Sequence, residues 1–150
     1  MKLLLALGPA VVAVTVWTAG AGASTHAPKA GNVHVVEHAV TDAVTNGSKA
    51  DKLGNVLTFA NPVYDEADTK KVGTDNGFCV RTVKGKEWEC LWTTFLPEGQ
   101  ITVEGPFSDT GNTKLAITGG TGSYASSRGW MELNYHNKQG TEFEFVFHLS

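Results

Sequence analysis

A single carboxylate, Glu37, lies among apolar residues in the first β-like run of the chain. The run Val33–Val40 is typical of a β-strand, in which alternate side chains point to the same face. The face that carries the carboxylate holds Val33, Val35, Glu37 and Ala39. A carboxylate on such a face is costly unless it has a function or a partner. Glu37 is therefore either a functional carboxylate or one half of a buried ion pair with Arg81.

The two cysteines, Cys79 and Cys90, can form either a disulfide or a reactive thiol. If Lys84-Gly85 is a two-residue hairpin turn, the register places the cysteines directly opposite each other. The pair would be a hydrogen-bonded one with Cα atoms about 5.5 Å apart, which permits a disulfide. A longer turn would shift the register and favour the alternative, a free thiol at Cys79.

Aromatic side chains recur on one face of the run Trp88–Leu96, which carries Trp88, Cys90 and Trp92. Such residues are usually core. In a barrel of about eight strands the same face can instead line a ligand cavity. Trp88 and Trp92, together with Phe59 and Arg81, are therefore candidate ligand-binding residues.

Eight short β-rich runs, separated by turn residues, must position these side chains. Regular spacing of such runs is typical of an all-β barrel or sandwich. Turn signals include Asp75-Asn76-Gly77, Lys84-Gly85 and Gln139-Gly140. The runs are Val33–Val40, Val56–Tyr64, Phe78–Val83, Trp88–Leu96, Ile101–Phe107, Lys114–Thr118, Gly129–Tyr135 and Glu142–His148.

The first 23 of the 150 residues have the pattern of a secretory signal peptide. Lys2 precedes an uncharged apolar run, which is too short for a membrane span, and Ala21-Gly22-Ala23 offers a cleavage site. Residues 24–32 are small and polar and predict a flexible N-terminus of the mature chain. Residues 33–150 then form one domain, and export to the cell exterior favours the disulfide.

Composition excludes some functions. The formal net charge is −3, with no cluster of basic residues, which argues against nucleic-acid binding. No second apolar run predicts a membrane span. The five histidines are scattered along the chain, and the sequence implies no metal or organic cofactor.

Several segments together resemble plant allene oxide cyclase, over nearly the whole range Val33–Leu149. Dirigent proteins share that fold and a related glycine-rich segment, so the chain looks like a secreted bacterial member of this wider group. The segments are Gly54–Asn61 with Tyr64, Lys70–Gly73, Gly77–Val80, Val103–Phe107, and Leu115–Gly122 with Gly129.

The resemblance implies an all-β, eight-stranded antiparallel barrel with a small apolar cavity. Family members rearrange an allene oxide of a fatty acid into a cyclopentenone, mainly by positioning the substrate and stabilising charge. By position, Glu37 matches a glutamate that stabilises a delocalised cation, and Asn61 matches an asparagine that holds a water on the epoxide oxygen. Cys79 matches a cysteine of the cavity. A homotrimer, as in the plant enzymes, or a homodimer is possible.

Two positions depart from the family pattern. Ala39 stands where the family has a second asparagine, and an alanine side chain cannot hold the shared water. Cys90 has no cysteine counterpart, and a disulfide with it would remove the thiol of Cys79. The sequence therefore predicts an isomerase or cyclase acting on an apolar small molecule such as a fatty-acid epoxide. The alternatives are a non-catalytic dirigent-like or lipid-binding secreted barrel, and an interaction module whose barrel is filled by side chains.

Overall fold

A computed structural model describes residues 30–46 and 50–150. These residues form strands joined by short connections, with one 3₁₀ turn at Gly122–Tyr124 and no α-helix in the described part. Residues 1–29, which include the predicted signal peptide, lie outside the described residues. The strands are β1 (Gly31–His38), β2 (Ala43–Val44), β3 (Val56–Asp65), β4 (Lys71–Val83), β5 (Glu87–Leu96), β6 (Gly99–Ser108), β7 (Thr113–Gly120), β8 (Gly129–Tyr135) and β9 (Glu142–Leu149).

The sheet closes on itself as an antiparallel barrel. Neighbouring strands follow the order β1-β9-β8-β7-β6-β5-β4-β3, and β1 also pairs with β3. This last pairing joins the two ends of the sheet and leaves the two-residue β2 as an extra strand on β3. The predicted eight-stranded antiparallel barrel is therefore confirmed, and each of the eight predicted runs overlaps one of its strands.

The interior is filled mainly by alternate residues of each strand. In β9, Phe143, Phe145 and Phe147 are buried, and the residues between them are half-buried. Full burial of such a side chain stabilises a fold by roughly 1.5–3 kcal/mol. Val103 and Leu133 complete the same core from β6 and β8. The period of two seen in the sequence thus marks the inner face of the barrel.

The predicted turn at Asp75-Asn76-Gly77 is wrong, because all three residues lie inside β4. Asp75 pairs with Asn61 on one side and with Thr94 on the other. Gly77 is needed there for a close approach, since a Cβ atom at this position would collide with the backbone and Cβ of Trp92. The glycine therefore signals tight packing between strands, and β4 continues back to Lys71.

The β4–β5 hairpin is longer at its turn than expected. A two-residue turn would put Val83 opposite Lys86, but Val83 pairs with Glu87. A bulge between Arg81 and Val83 absorbs the extra residue, so Arg81 still lies opposite Trp88 and the cysteines still face each other.

The bulge also changes the type of pair that the cysteines form. The backbone N–H of Arg81 donates to Asn55 O, and its carbonyl accepts from Gly54 N–H, so both groups point away from β5. Arg81–Trp88 is then a non-hydrogen-bonded pair, and by alternation so is Cys79–Cys90. The Cα–Cα distance of 4.0 Å fits this kind of pair rather than the predicted 5.5 Å one.

Cys79 and Cys90 are joined by a disulfide, and the described residues contain no free cysteine. The predicted pairing is therefore present in the structure. Both residues are at most 3% exposed, so the bridge lies inside the barrel rather than on its surface.

Among the described residues, no helix is long and apolar enough to cross a membrane.

Replacing both cysteines, as Cys79→Ala with Cys90→Ala, should lower the free energy of unfolding by about 2–3 kcal/mol. The bridge closes a short loop, with a sequence separation of 11 between its two cysteines, and constrains the unfolded chain accordingly. Urea unfolding of the purified protein measures the loss. Reductant should destabilise the wild type similarly and leave the double variant unchanged. A wild type whose intact mass does not rise by two hydrogens on reduction would contradict the disulfide.

Candidate functional site

A small cavity of about 40 Å³ lies inside the barrel. Its walls are largely apolar and aromatic, and its few polar side chains are acidic. This combination of apolar walls with a few polar groups is typical of a small-molecule site. The lining residues are Glu37, Asp42, Leu57, Phe59, Cys79, Cys90, Trp92, Phe107, Leu133, Phe143 and Phe145.

Four of the predicted site residues line this cavity, namely Glu37, Phe59, Cys79 and Trp92. The ring of Trp92 packs against Phe59, with ring centroids 6.0 Å apart, and against Phe145, at 5.4 Å. Cys79 contributes a disulfide sulfur to the wall, so no thiol is present at this position.

The polar part of the site is built by three adjacent strands. Glu37 of β1 pairs with Val63 of β3, two residues from Asn61. Asn61 in turn pairs with Asp75 of β4. Because alternate residues share a face, this register brings Glu37, Asn61 and Asp75 together inside the barrel. All three are buried, with Asn61 and Asp75 fully so.

Asn61 uses its whole side-chain amide to fix its surroundings. Its Nδ2 donates to Glu37 Oε1 at 2.6 Å and to Asp42 Oδ1 at 2.8 Å. Its Oδ1 accepts from the backbone N–H of Val40 and Thr41 and from the Thr41 hydroxyl. An amide has two N–H donors, and both are committed. Asn61 therefore has no donor left for the water that the resemblance implied, and it instead holds two carboxylates and the segment after β1.

Glu37 and Asp75 form a pair of buried carboxyl groups. Burial raises the pKa of Glu37 to about 7, against a smaller opposing effect of the Asn61 hydrogen bond. Burial also raises the pKa of Asp75, further than that of Glu37, and the nearby charge and hydrogen bond of Glu37 add to the rise. Two carboxylates in contact cannot both ionise readily in a dry site. Asp75 therefore keeps its proton at neutral pH and shares it with Glu37.

Asp42 adds a third acid at the edge of the cavity. Partial burial raises its pKa as well, against the hydrogen bond from Asn61. No Lys, Arg or His is among the described residues that line the cavity. The interior therefore favours neutral guests, or guests that carry or develop positive charge, over anionic ones.

The side chain of Trp92 carries a hydrogen-bond donor that is not used within the described structure. Its indole N–H is buried and has no acceptor among the described residues. A buried N–H without a partner is costly, and a ligand oxygen could accept from it. The aromatic pattern of β5 pointed to Trp92 as a wall residue but gave no sign of this donor.

Arg81 and Trp88 are placed elsewhere, although both were candidate ligand-binding residues. Arg81 Nη1 lies 2.6 Å from Asp109 Oδ2, and its Nε lies 2.8 Å from Asp51 Oδ1. Its guanidinium stacks on the ring of Trp88 at 3.8 Å, and the indole N–H of Trp88 donates to Asp109. Neither residue lines the cavity, and the alternative that Arg81 pairs with Glu37 is wrong.

A wider groove of about 360 Å³ continues the cavity outward. It shares Asp42, Phe107 and Phe143 with the cavity and extends along Asp109 to the β8–β9 turn, at Lys138. A ligand larger than the cavity therefore has a path out between the segment after β1 and this turn.

Asp75 is the site residue that sequence reasoning missed. Its position before Asn76-Gly77 indicated a turn, and turn residues are normally exposed. Alternation back from Cys79 through Gly77 would have placed Asp75 on the inner face. Gly77 made the segment resemble a turn, although this glycine is present because it packs closely against Trp92.

Comparison with solved structures shows the same barrel in other proteins. A pyocyanin demethylase has 24% sequence identity, with a TM-score of 0.64 over 77% of this chain and 99% of its own. The pterocarpan synthase dirigent protein PsPTS1 has 19% identity and a TM-score of 0.64, covering 80% and 96%. AbnU, an exo-specific intermolecular Diels-Alderase, has 16% identity and a TM-score of 0.62, covering 79% and 96%. At these identities the likeness shows the fold alone.

The match in sequence is more specific than the match in fold. The family model described as allene oxide cyclase matches residues 35–145, which is most of the chain and nearly all of the barrel. The matched range contains Glu37, Asn61, Asp75 and both cysteines. This chain therefore belongs to the allene oxide cyclase family.

Proposed function

We propose that this chain is a cyclase or isomerase that folds a small apolar molecule, such as a fatty-acid epoxide, inside its barrel. The observation that carries the proposal is the buried carboxyl pair of Glu37 and Asp75, set beside an apolar cavity whose described lining has no basic side chain. A single negative charge held in such a place stabilises positive charge that develops on a bound carbon chain.

In the proposed reaction the epoxide C–O bond breaks, leaving negative charge on oxygen and positive charge spread along the carbon chain. The Glu37 carboxylate faces the positive charge, and the spare indole N–H of Trp92 donates to the oxygen. Closing the ring forms one C–C bond and neutralises both charges, so no external reagent is consumed. The apolar walls select the folded shape of the substrate and hence the chirality of the product.

Asn61 acts in this scheme as a positioning residue. It binds Glu37 and Asp42 through its two N–H groups and so fixes the direction of the catalytic carboxylate. Ala39 cannot supply a second amide. The oxygen of the substrate would therefore depend on Trp92 rather than on a water held between two asparagines.

Structural relatives support a role in shaping a guest molecule. The proteins that share this barrel include a Diels-Alderase and a pterocarpan synthase dirigent protein. The fatty-acid epoxide itself comes only from the family resemblance, and the cavity chemistry requires just an apolar guest that develops positive charge.

A second candidate is a non-catalytic, dirigent-like or lipid-binding barrel. This candidate is favoured because the polar side chains expected from the family resemblance are missing or already engaged here. Asn61 is fully engaged, position 39 is alanine, and Cys79 is in a disulfide. Such a barrel would bind apolar molecules without changing their rate of conversion.

We also propose that the protein is exported and acts outside the cell. The Cys79–Cys90 disulfide is consistent with an oxidising compartment. Sequencing the N-terminus of the protein collected from the medium should give Ser24 as the first residue. Intact Met1 on an intracellular protein would contradict export.

Glu37→Gln should reduce the rate of enantioselective product formation by roughly 10²-fold, because the amide keeps the size of the side chain but cannot carry negative charge. Chiral analysis of the cyclopentenone formed from freshly generated allene oxide, corrected for the spontaneous reaction, measures the effect. Glu104→Gln is the matched control, since Glu104 is exposed on β6 and should not matter.

The two functional candidates separate in the same assay. A wild type that yields racemic product at the spontaneous rate, yet binds the guest with quenching of Trp92 fluorescence, would overturn the cyclase and leave the binding barrel. Full activity in a folded Glu37→Gln protein would contradict the role of the carboxylate.

Asp75→Asn should make the protein more stable than wild type at pH 8, by on the order of 1–3 kcal/mol, but not at pH 4. Because the folded pKa values of Glu37 and Asp75 are raised, the folded protein binds more protons than the unfolded chain above about pH 4. The free energy of unfolding of the wild type therefore falls as pH rises through 7. The variant removes the larger part of this loss.

Urea unfolding at several pH values measures the difference, with Glu104→Gln again as control. A gap between variant and wild type that stays constant from pH 4 to pH 8 would contradict the shared proton.

A further inference from the structure

Three potential metal ligands and a neighbouring histidine meet on the outside of the barrel, away from the cavity. Donor atoms of Asp68, His136 and Glu142 all lie within 4.8 Å of one another. Asp68 Oδ1 also lies 2.8 Å from the Nε2 atom of His38. None of the four lines the cavity, and none takes part in the proposed reaction. We call these residues the outer cluster.

The outer cluster is assembled from four separate parts of the chain. His38 ends β1 and pairs with Glu142, the first residue of β9. His136 follows β8, and its backbone N–H donates to Glu142 O at 2.9 Å. Asp68 lies in the β3–β4 connection, where its backbone N–H donates to Asp65 O. The barrel register therefore brings the ligands together from positions far apart in sequence, where the histidines had seemed scattered.

Local contacts orient the side chains. The ring of His38 stacks on Tyr64 with ring centroids 4.2 Å apart. His136 Nδ1 lies 3.0 Å from Glu144 Oε1. A carboxylate beside one ring nitrogen of a histidine fixes the ring and makes the other nitrogen a better ligand. The side chains of His38, Asp68 and His136 are each about one-quarter to one-third exposed, so an ion can reach them.

The set of donors selects the kind of ion. One imidazole with two carboxylates suits Zn²⁺ and similar divalent transition metals, whereas Mg²⁺ and Ca²⁺ prefer oxygen ligands alone. Zinc binds nitrogen and carboxylate oxygen at about 2.0–2.2 Å in a tetrahedral arrangement. Ligands of such a site are roughly 3.4 Å apart, so the present spacing closes with small side-chain rotations.

We propose that Asp68, His136 and Glu142 form a Zn²⁺ site on the outer face of the barrel, with His38 orienting Asp68 through their hydrogen bond. The ion would join the β3–β4 connection, through Asp68, to the β8–β9 hairpin, through His136 and Glu142. The proposed role of the ion is structural. It would link the elements that hold the segment after β1 and the β8–β9 turn, which lies beside the wider groove.

The test is a Zn²⁺ titration of the full mature chain, purified without a histidine tag and treated with chelator. Isothermal titration calorimetry should give one ion per chain. His136→Ala should weaken binding by more than roughly tenfold, since even the loss of an orienting partner commonly costs that much. Asp68→Asn should weaken it similarly. Zn²⁺ should raise the melting temperature of the wild type, whereas Mg²⁺ should not.

His148→Ala and His34→Ala are the matched controls. Each of these histidines also faces a carboxylate outside the cavity, Glu132 at 3.7 Å and Glu66 at 3.2 Å, but neither belongs to the outer cluster. Both variants should bind Zn²⁺ as the wild type does. Circular dichroism checks that all variants are folded. Equal affinity in the wild type and a folded His136→Ala protein, or equal loss in the controls, would overturn the site.

Discussion

The pairing of β1 with β3 is the contact on which the barrel and its site depend. Only three residue pairs make this junction, yet without it the sheet would be open and its interior exposed. The same three pairs set Glu37 two residues from Asn61 on the neighbouring strand. The same strand pairing therefore closes the barrel and assembles the polar site. Its register also sets the position of the Glu37 carboxylate.

This arrangement places acidic groups where water is scarce. An isolated ionised carboxylate in such an interior would be very costly. Here the cost is reduced in two ways: Asn61 donates to Glu37, and Asp75 retains a proton next to it. The result is one negative charge spread over a small group of atoms that packing holds in place. Preorganised charge of this kind acts on a guest without the protein having to rearrange.

Much of the fold could be predicted from the sequence, because the alternation in runs such as Glu142–His148 survives directly as an inner and an outer face. Glu37 and Trp92 could be placed on inward faces for the same reason, whereas Cys79 was placed at the cavity by the family resemblance. Asp75 could not, because local turn chemistry and strand continuation give opposite readings of Asp75-Asn76-Gly77, and only the packing of Gly77 on Trp92 decides between them. Arg81 was predicted near the ligand, but its partners Asp51 and Asp109 come from connections whose paths no strand pattern specifies.

The disulfide in the cavity wall has a chemical consequence for any guest. Epoxides and related electrophiles alkylate thiolates readily, since the thiolate is the nucleophilic form of cysteine. In this barrel the two cysteine sulfurs that line the cavity are bonded to each other, so neither is a free thiol. The cavity wall therefore offers an enclosed electrophile no thiol to alkylate, and the same bridge also stabilises the fold.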